Sequence, residues 1–329
     1  MKSARATRAK SNATVISMPK ELICRNLTKK YAGTPTALDR VSFSIPSAKG
    51  IFTLIGRNGA GKTTLTRILA TELAPTSGTA SINGMDILRD TAELRERMAI
   101  LPQESRAVAW LTPKQTIFSY LLYRGFGRGE ALEKADMMLE KLGMKKYANT
   151  LNRLLSGGLK RKTLIATILA SDAEVLFVDE PTTGLDPVSR AELWDVLKEF
   201  KKDHFIFLTT HYLEEAEMLA DKLCVLEQGR MMAMGSIDSL RKTMGYQYSV
   251  SILESNVSVK VREGKSVTGY DGRKQIFTTR NEADRLAEEL IAKGRKFSIN
   301  PVSLDDIFFY LVKKPISEDN GEEGEDYGY

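Results

Sequence analysis

The chain has 329 residues, 42% of them hydrophobic, and a formal net charge of +6. This length and apolar content support one large or two medium domains with real cores. No apolar stretch approaches the roughly 20 residues that cross a bilayer, and the amino end lacks the apolar segment of a signal peptide, so we expect a soluble protein. Cys24 and Cys224 lie in apolar, strand-like runs, which favours buried thiols over a disulfide and is typical of a reducing cytosol.

The charges at the two ends of the chain are segregated. Residues 1–20 carry five bases and no acid, whereas residues 317–329 carry six acids and no base. This pattern predicts disordered, solvated tails over residues 1–20 and 316–329. Contact of the basic tail with anionic lipid or ribosomal RNA is the alternative, but such a run by default has no specific partner, so we expect no specific nucleic acid.

The segment that follows, residues 22–45, has the pattern of strands. Val41, Phe43 and Ile45 alternate with serines, which predicts an antiparallel β piece. Tyr31 lies in a polar turn of this segment. Taken alone, it is most simply an exposed aromatic side chain.

Gly56–Thr63 fits the phosphate-binding pattern G-x-x-x-x-G-K-[ST] without a mismatch. It follows the apolar run 51–55, a predicted buried strand, and opens the helical pattern 64–73, as the motif requires. Its glycines let successive N–H groups face phosphates, while Lys62 reaches the β and γ oxygens and Thr63 offers a hydroxyl to Mg²⁺. A glycine-rich turn without a ligand is the alternative, and the correct flanks argue against it. Alone, the loop indicates a nucleoside triphosphate.

A helical region separates this loop from the next motif. Gln103 precedes it and, taken singly, is an ordinary surface amide. From residue 112 to residue 155 the pattern is helical, opening with a Thr112 cap and Pro113 at the first helical position. Several apolar residues near its start fit the core of this helical region. They are Trp110, Leu111, Ile117, Tyr120 and Tyr123.

Ser156, Gly157 and Gly158 precede a helical run from Lys160 to Ala170. A serine and two glycines make a helix N-terminus without large side chains, whose free N–H groups and dipole favour an anion. The chain already has one phosphate loop. This second anion-binding end therefore requires a second phosphate or a second polypeptide.

An acidic pair follows the apolar strand Val175–Val178. Ligands bind at the carboxyl ends of parallel strands, so Asp179 is a candidate to hold Mg²⁺ through its water shell and Glu180 to orient or deprotonate the attacking water. Asp186 and His211 follow downstream. Taken singly, the acids could be a solvated strand end and the histidine a structural donor.

After residue 240 the composition changes. Alternation predicts strands over residues 246–252 and 257–262, followed by a helix around residues 283–291. A strand at 297–299 precedes a last helix, which Ser303-Leu304-Asp305-Asp306 caps. The order of strands, helix, strand and helix indicates a small α+β domain over residues 241–315.

In this order, the elements of residues 21–240 resemble the ATP-binding cassette (ABC) ATPases. The resemblance implies an α/β P-loop NTPase cassette, with a parallel core sheet flanked by helices, an antiparallel β piece and the helical insert 112–155. It implies that Tyr31 stacks on adenine and that the Walker A loop binds the phosphates. The loop residues concerned are Gly56, Asn58, Gly59, Ala60, Gly61, Lys62, Thr63 and Thr64.

The other motifs take their roles from the same resemblance. Gln103 is the Q-loop residue at Mg²⁺ and water, Asp179 holds Mg²⁺ with Thr63, and Glu180 is the base. Asp186 belongs to the D-loop, and His211 contacts the γ-phosphate. The implied signature helix, Ser156-Gly157-Gly158, contacts ATP bound by a second cassette. The commonest residue after Ser-Gly-Gly in the family is Gln, and Leu159 departs from it in the manner of exporter-type members. The implied catalytic residues are Lys62, Gln103, Glu180 and His211.

The implied function is an ATP-binding and ATP-hydrolysing subunit that drives export through a separate membrane-spanning permease. In the family the helical insert grips the membrane subunit, so the implied candidates for that contact are Trp110, Leu111, Ile117, Tyr120 and Tyr123, with the core of the insert at least as favoured for any one of them. ATP and Mg²⁺ are the implied ligands, a second ATP-binding subunit the implied partner, and the cytoplasmic face of the cell membrane the implied location. Pro301–Phe308 resembles the ending of drug, antibiotic and polysaccharide exporter subunits. The alternatives are an importer subunit and a soluble ABC ATPase acting on ribosomes or DNA. The single Walker A loop and the lack of a heptad array argue against the latter.

Overall fold

The computed structural model describes residues 21–46, 49–255, 257–268 and 272–312. The predicted tails at residues 1–20 and 316–329 lie outside these ranges. The first part of the chain contains β1 (Glu21–Lys29), β2 (Leu38–Pro46), β3 (Gly50–Ile55), α1 (Lys62–Leu69), β4 (Ser77–Ile82), β5 (Met85–Asp86), α2 (Thr91–Arg97) and β6 (Met98–Leu101). The insert contains α3 (Pro113–Tyr123), α4 (Arg128–Lys141) and short 3-10 turns at Lys145–Tyr147 and Asn152–Leu154, and α5 (Gly157–Leu169) follows it.

The second half continues the alternation of strands and helices. It contains β7 (Val175–Asp179), α6 (Pro187–Phe200), β8 (Phe205–Thr210), α7 (Leu213–Leu219), β9 (Lys222–Glu227), β10 (Arg230–Gly235) and α8 (Ile237–Met244). The C-terminal part contains β11 (Tyr248–Ile252), β12 (Lys265–Thr268), β13 (Lys274–Thr278), α9 (Arg280–Ala292), β14 (Phe297–Pro301) and α10 (Leu304–Val312).

The central sheet has the strand order β10-β9-β3-β8-β7-β6, parallel except for β10. Its register sets Ile55 beside Thr210 and Asp179 beside Thr209. The carboxyl ends of β3, β7 and β8 therefore meet at one edge of the sheet, where such folds bind ligands.

The antiparallel sheet β2-β1-β4-β5 packs on one face of the central sheet. Phe43, Phe52, Phe207 and Phe177 form a chain of ring contacts across this interface, with successive centroid distances of 5.8, 5.3 and 5.5 Å. The predicted alternation in β2 is confirmed, because its apolar side chains point into this core.

The helices of the insert pack on the opposite side, where α3, α4 and α5 share a core with the central sheet. The predicted start of α3 is confirmed: Thr112 and Gln115 form a capping box, and Pro113 follows the cap. Ile117 is fully buried, so it belongs to the core and is wrong as a candidate for a protein contact. Trp110 and Tyr123, in contrast, are 76% and 87% exposed.

The C-terminal sheet has the order β12-β13-β11-β14 and packs against α9. The predicted strand over residues 257–262 is wrong. Val257 is buried as the alternation requires, but the backbone there bonds to α9 rather than to a strand. The N–H of Arg262 donates to Glu282, and Arg285 donates to the Lys260 carbonyl oxygen. The alternation of apolar and polar residues therefore predicted which side chain is buried, but it did not predict that the backbone bonds to a helix instead of a strand.

The predicted boundary at residue 240 falls within α8. Leu240 and Met244 of this helix join Phe308 of α10 in a core that also reaches β9 of the cassette. The cap of α10 matches the prediction, since the Asp306 N–H donates to Ser303 Oγ and the Ser303 N–H donates to Asp306 Oδ2. The division into domains remains a prediction.

Both cysteines are free and buried, as predicted. Burial raises the pKa of the Cys224 thiol to about 12 and that of Cys24 further, so neither forms a thiolate at neutral pH. Within the described ranges, no helix combines the length and apolarity needed to cross a bilayer.

Candidate active site

The phosphate-binding loop connects β3 to α1 in a turn that requires glycine at two positions. A Cβ on Gly56 would lie 2.3 Å from the Leu226 carbonyl oxygen, and one on Gly61 would lie 2.5 Å from that of Ala37. Gly61 also has a φ of 103°, which a side chain disfavours. The loop is thus held against neighbouring backbone in the conformation that presents N–H groups at the start of α1.

Lys62 lies at the first position of α1, and its ammonium group is held at the loop. Nζ donates to the carbonyl oxygens of Gly56 at 2.9 Å and Arg57 at 3.1 Å, and lies 3.4 Å from Oε1 of Glu180. The side chains of Lys62 and Glu180 are each 5% exposed, so solvent screens this pair weakly. Of the other predicted loop residues, Asn58, Gly59 and Thr63 are exposed, Thr64 is half-buried and Ala60 is buried.

Asp179 is buried at the carboxyl end of β7. It accepts hydrogen bonds from the hydroxyls of Thr209 and Thr63. Burial raises the pKa of the Asp179 carboxyl above its usual value, and the two hydroxyls only partly oppose this shift. Asp179 therefore lies beside the predicted Mg²⁺ ligand Thr63.

This pair of oxygen donors fits Mg²⁺. Among the described residues no cluster of three His, Cys, Asp or Glu could hold a metal unaided. Mg²⁺ in nucleotide sites takes only one or two protein oxygens, and phosphates and water complete its shell. The Thr63 hydroxyl and the Asp179 carboxylate supply that number.

Glu180 contacts three polar side chains, two of which belong to predicted site residues. Oε2 lies 3.0 Å from Nδ1 of His211 and accepts a hydrogen bond from Thr183 Oγ1 at 3.2 Å, while Oε1 faces Lys62. Burial alone raises the pKa of Glu180, but the hydrogen bond from His211 and the charge of Lys62 outweigh it, so the pKa lies below the usual value. Glu180 is ionised at neutral pH, as a base must be.

The backbone at Glu180 is strained, with a φ of 47°. Its N–H donates to both the carbonyl oxygen and Oγ1 of Thr209, each at 3.1 Å. Non-glycine residues in this region cost about 1–3 kcal/mol, and such strain is concentrated at functional sites. Thr209 thus fixes both acids, and the sequence analysis did not single it out.

Tyr31 and Gln103 are exposed to solvent. Tyr31 is 41% exposed, with Lys29 Nζ 5.2 Å from its ring centroid. The Gln103 amide makes no hydrogen bond to any described residue, and its backbone carbonyl accepts one from Arg161. Gln103 lines a cavity of about 490 Å³ together with Gly157 and Gly184.

Gly157 of the Ser-Gly-Gly helix end lines the cavity that contains Gln103, and none of the described phosphate-loop residues lines it. Ser156 caps α5, its Oγ accepting from the Leu159 N–H at 3.3 Å, and Asp186 caps α6 by accepting from Ser189 at 3.0 Å. Ser156 and Gly157 are exposed and Gly158 is half-buried. The side-chain hydrogen bonds of Ser156 and Asp186 are these caps of α5 and α6. The structure brings Lys62, Thr63, Asp179, Glu180 and His211 together.

Glu215 is a buried acid that the sequence did not reveal. It lies on α7, four residues after His211, and is fully buried. Trp194 Nε1 donates to its Oε1 at 3.2 Å, and Thr210 also hydrogen-bonds to it. Burial raises the pKa of the Glu215 carboxyl. Its neighbours link α6, α7 and the end of β8, so it supports the segment that carries His211.

Glu215→Gln is expected to change the pH dependence of stability. Because the folded-state pKa of Glu215 is raised, the protonated carboxyl favours the folded state below about pH 4.5, and this contribution is lost as pH rises toward the folded pKa. The variant lacks that loss, so its free energy of unfolding should rise relative to wild type as the pH increases above about 4.5. Urea denaturation at a series of pH values measures the difference. Glu214→Gln, an exposed neighbour, is the control; parallel curves for Glu215→Gln and wild type would contradict the assignment.

The chain is similar to known proteins along most of its length. Residues 38–183 match a family model described as ABC transporter. Over 313 residues the chain is 30% identical to the daunorubicin/doxorubicin resistance ATP-binding protein DrrA of Streptomyces peucetius, covering 90% of this chain and 94% of that protein. It is 35% identical to the phospholipid-transporting ATPase ABCA3 of Rattus norvegicus, covering 80% of this chain but only 16% of that protein.

A solved structure has the same fold in the cassette. It is described as an ATP-binding subunit of an ABC transporter, superposes with a TM-score of 0.61 and is 27% identical. The match covers 68% of this chain and 93% of that one.

Proposed function

Because this chain belongs to the ABC transporter family of ATP-binding proteins and is therefore an ATPase, we propose that it drives export through a separate membrane-spanning permease. The family membership confirms the resemblance read from the motifs and the P-loop fold class expected from them. Export is supported by the likeness to a drug-resistance ATP-binding protein over nearly the full length of both chains. The alternative, action on ribosomes or DNA, has no such support.

The observation that carries the proposed chemistry is the cluster of Lys62, Asp179, Glu180 and His211 at one edge of the central sheet. On ATP binding we expect Lys62 to exchange its loop carbonyls for β- and γ-phosphate oxygens. Glu180, released from Lys62 and still held by His211, then accepts a proton from the attacking water. Thr63 and Asp179 would hold Mg²⁺, which neutralises phosphate charge when bound.

The second half of the site comes from another copy or another ATP-binding subunit. Ser156 and Gly157 are exposed at the N-terminus of α5, and Gly158 beside them is half-buried. Two cassettes facing each other would set this end against the γ-phosphate on the opposite chain. ATP would then join two chains, and hydrolysis would remove the charge that holds them.

The permease contact is assigned to a groove between the edge of the central sheet and the insert. This cavity of about 730 Å³ is lined by Arg95, Met98, Tyr120 and Tyr123 among others. Arg124 closes one wall by donating to backbone carbonyls of residues 95, 96 and 98. An exposed aromatic beside basic and apolar groups is typical of a residue that anchors a partner. A permease bound in this groove would hold the chain at the cytoplasmic face of the membrane.

Tyr123→Asp is expected to reduce recovery of the permease from solubilised membranes by about fivefold or more, since it places a charge in the buried centre of the contact. The ATPase rate of the isolated chain should stay within about twofold of wild type, because Tyr123 is distant from the catalytic cluster in sequence and contacts. Affinity capture followed by mass spectrometry measures recovery. Ile291→Asp, at a residue that is 67% exposed on α9, is the matched control. Unchanged recovery with Tyr123→Asp would reject the groove, and capture of ribosomes without a membrane protein would reject transport.

A further inference from the structure

Arg161 on α5 reaches from the Ser-Gly-Gly helix to the backbone behind the catalytic acids. Nη2 donates to the carbonyl oxygens of Asp179 at 2.8 Å and Glu180 at 3.0 Å, and Nε donates to that of Pro181 at 3.1 Å. Nη1 donates to the carbonyl oxygens of Gln103 at 3.1 Å and Pro102 at 3.4 Å. One guanidinium therefore joins α5, the end of β7 and the Gln103 loop.

This bonding uses every donor that the guanidinium has. Arginine carries five N–H groups in a planar fork, and each has one of these backbone carbonyl oxygens as acceptor. Arg161 is only 8% exposed, and burial lowers the pKa of its guanidinium while the charges of Asp179, Glu180 and Glu215 oppose the shift. A buried cation costs free energy unless its hydrogen bonds are satisfied, so the full set of carbonyl contacts compensates for its burial.

The carbonyls that Arg161 binds belong to a strained turn. Glu180 has a positive φ, and the ladder between β7 and β8 ends at Asp179. Thr209 holds the N–H of Glu180 from one side, and Arg161 holds its carbonyl oxygen from the other. The orientation of the Glu180 side chain thus depends on a residue of α5.

We infer that Arg161 is a positioning residue that couples the Ser-Gly-Gly helix to Glu180 and Gln103 of the same chain. The inference rests on the proposed shared site, in which α5 meets ATP bound by the partner. When the N-terminus of α5 engages that ATP, Arg161 transmits the position of the helix to the acid and amide of its own site. Each ATP would thereby help to set the geometry of the other site.

Two substitutions at Arg161 separate charge from geometry. Arg161→Met keeps the length and removes all donors, whereas Arg161→Lys keeps the charge but has one nitrogen, which cannot serve the Gln103 loop and the turn after β7 together. We expect Arg161→Met to lower kcat at least about tenfold, with KM for ATP within about threefold, and Arg161→Lys to lie between it and wild type. Arg153→Met is the matched control. Arg153 is exposed and lines the cavity beside Gln103 as Arg161 does, but its hydrogen bonds to described residues are through its backbone.

Heterodimers from two differently tagged copies test whether the residue acts across both sites. One copy carries Lys62→Ala, so only the other phosphate loop works, completed by the Ser-Gly-Gly helix of the Lys62→Ala copy. Arg161→Met is then introduced on either copy in turn. A coupling residue lowers kcat from both positions, since one disturbs Glu180 and the other disturbs the helix that meets the ATP.

The outcomes distinguish the coupling from the shared site. If Arg161→Met lowers kcat from only one of the two copies, or leaves kcat unchanged, the coupling is overturned and Arg161 has a local structural role. Thermal unfolding identifies a variant that does not fold, and Arg161→Lys then serves for the same comparison. Ser156→Arg on the copy that supplies the helix is the reference, and it should abolish hydrolysis at the working site. If hydrolysis continues there, the shared site fails, and the coupling fails with it.

Discussion

Replacing Glu180 with Gln is expected to lower kcat for ATP hydrolysis by two or more orders of magnitude while ATP still binds. The carboxylate is ionised at neutral pH, because His211 and Lys62 hold its pKa below the usual value. The amide keeps the shape and cannot accept the proton of the attacking water. Since the phosphate loop is unchanged, ATP affinity should stay within about threefold of wild type.

The same variant should accumulate ATP-dependent dimers. Hydrolysis normally removes the charge that joins the two chains, so a variant that binds ATP without cleaving it stays closed. Light scattering after size exclusion, with and without ATP, measures the dimer fraction, and phosphate release measures kcat. Glu214→Gln, an exposed acid on α7, is the control. Normal turnover in Glu180→Gln would reject Glu180 as the base, whatever the state of the dimer.

The parts of this site that the sequence predicted are carried by contiguous residues with a fixed local geometry. The glycines and Lys62 of the phosphate loop lie within one turn between a strand and a helix, and the capping pattern at Ser156 is equally local. The position of Asp179 followed from the rule that ligands bind at the carboxyl ends of parallel strands. Such signals need no knowledge of what packs against them.

The parts that the sequence did not predict depend on contacts between distant segments. Arg161 looks like one of several cations on a helix, and only the folded chain brings residues 102, 103 and 179–181 to its guanidinium. Thr209 and Glu215 acquire their roles in the same way, from register and burial. The backbone groups of residues 260 and 262 bond to α9 for the same reason. The threonine pair that ends β8, immediately before His211, was the available signal for Thr209.

Ser156→Arg is expected to lower ATP hydrolysis by two or more orders of magnitude, since it sets a large side chain where the γ-phosphate of the opposite chain would lie. The variant keeps its own phosphate loop, so one chain should still bind ATP. Loss of the Ser156 cap costs about 1 kcal/mol of stability, which must be separated from the effect on the site. Ser236→Arg is the matched control, because Ser236 caps α8 in the same way, accepting from the Ser239 N–H at 3.2 Å.

Mixing inactive Ser156→Arg with inactive Lys62→Ala should restore hydrolysis. Each variant lacks a different half of the ATP site, so a heterodimer regains one complete site. That site combines the intact phosphate loop of the Ser156→Arg chain with the intact Ser-Gly-Gly helix of the Lys62→Ala chain. Random pairing makes about half of the dimers mixed, and each has one site instead of two, so the ceiling is about a quarter of the wild-type rate. A chain carrying both substitutions, mixed with wild type, leaves its heterodimers with no intact site and should give no rate beyond that of the wild-type homodimers. Heterodimers that are captured through two tags and hydrolyse no ATP would refute a site shared between Lys62 of one chain and Ser156 of the other.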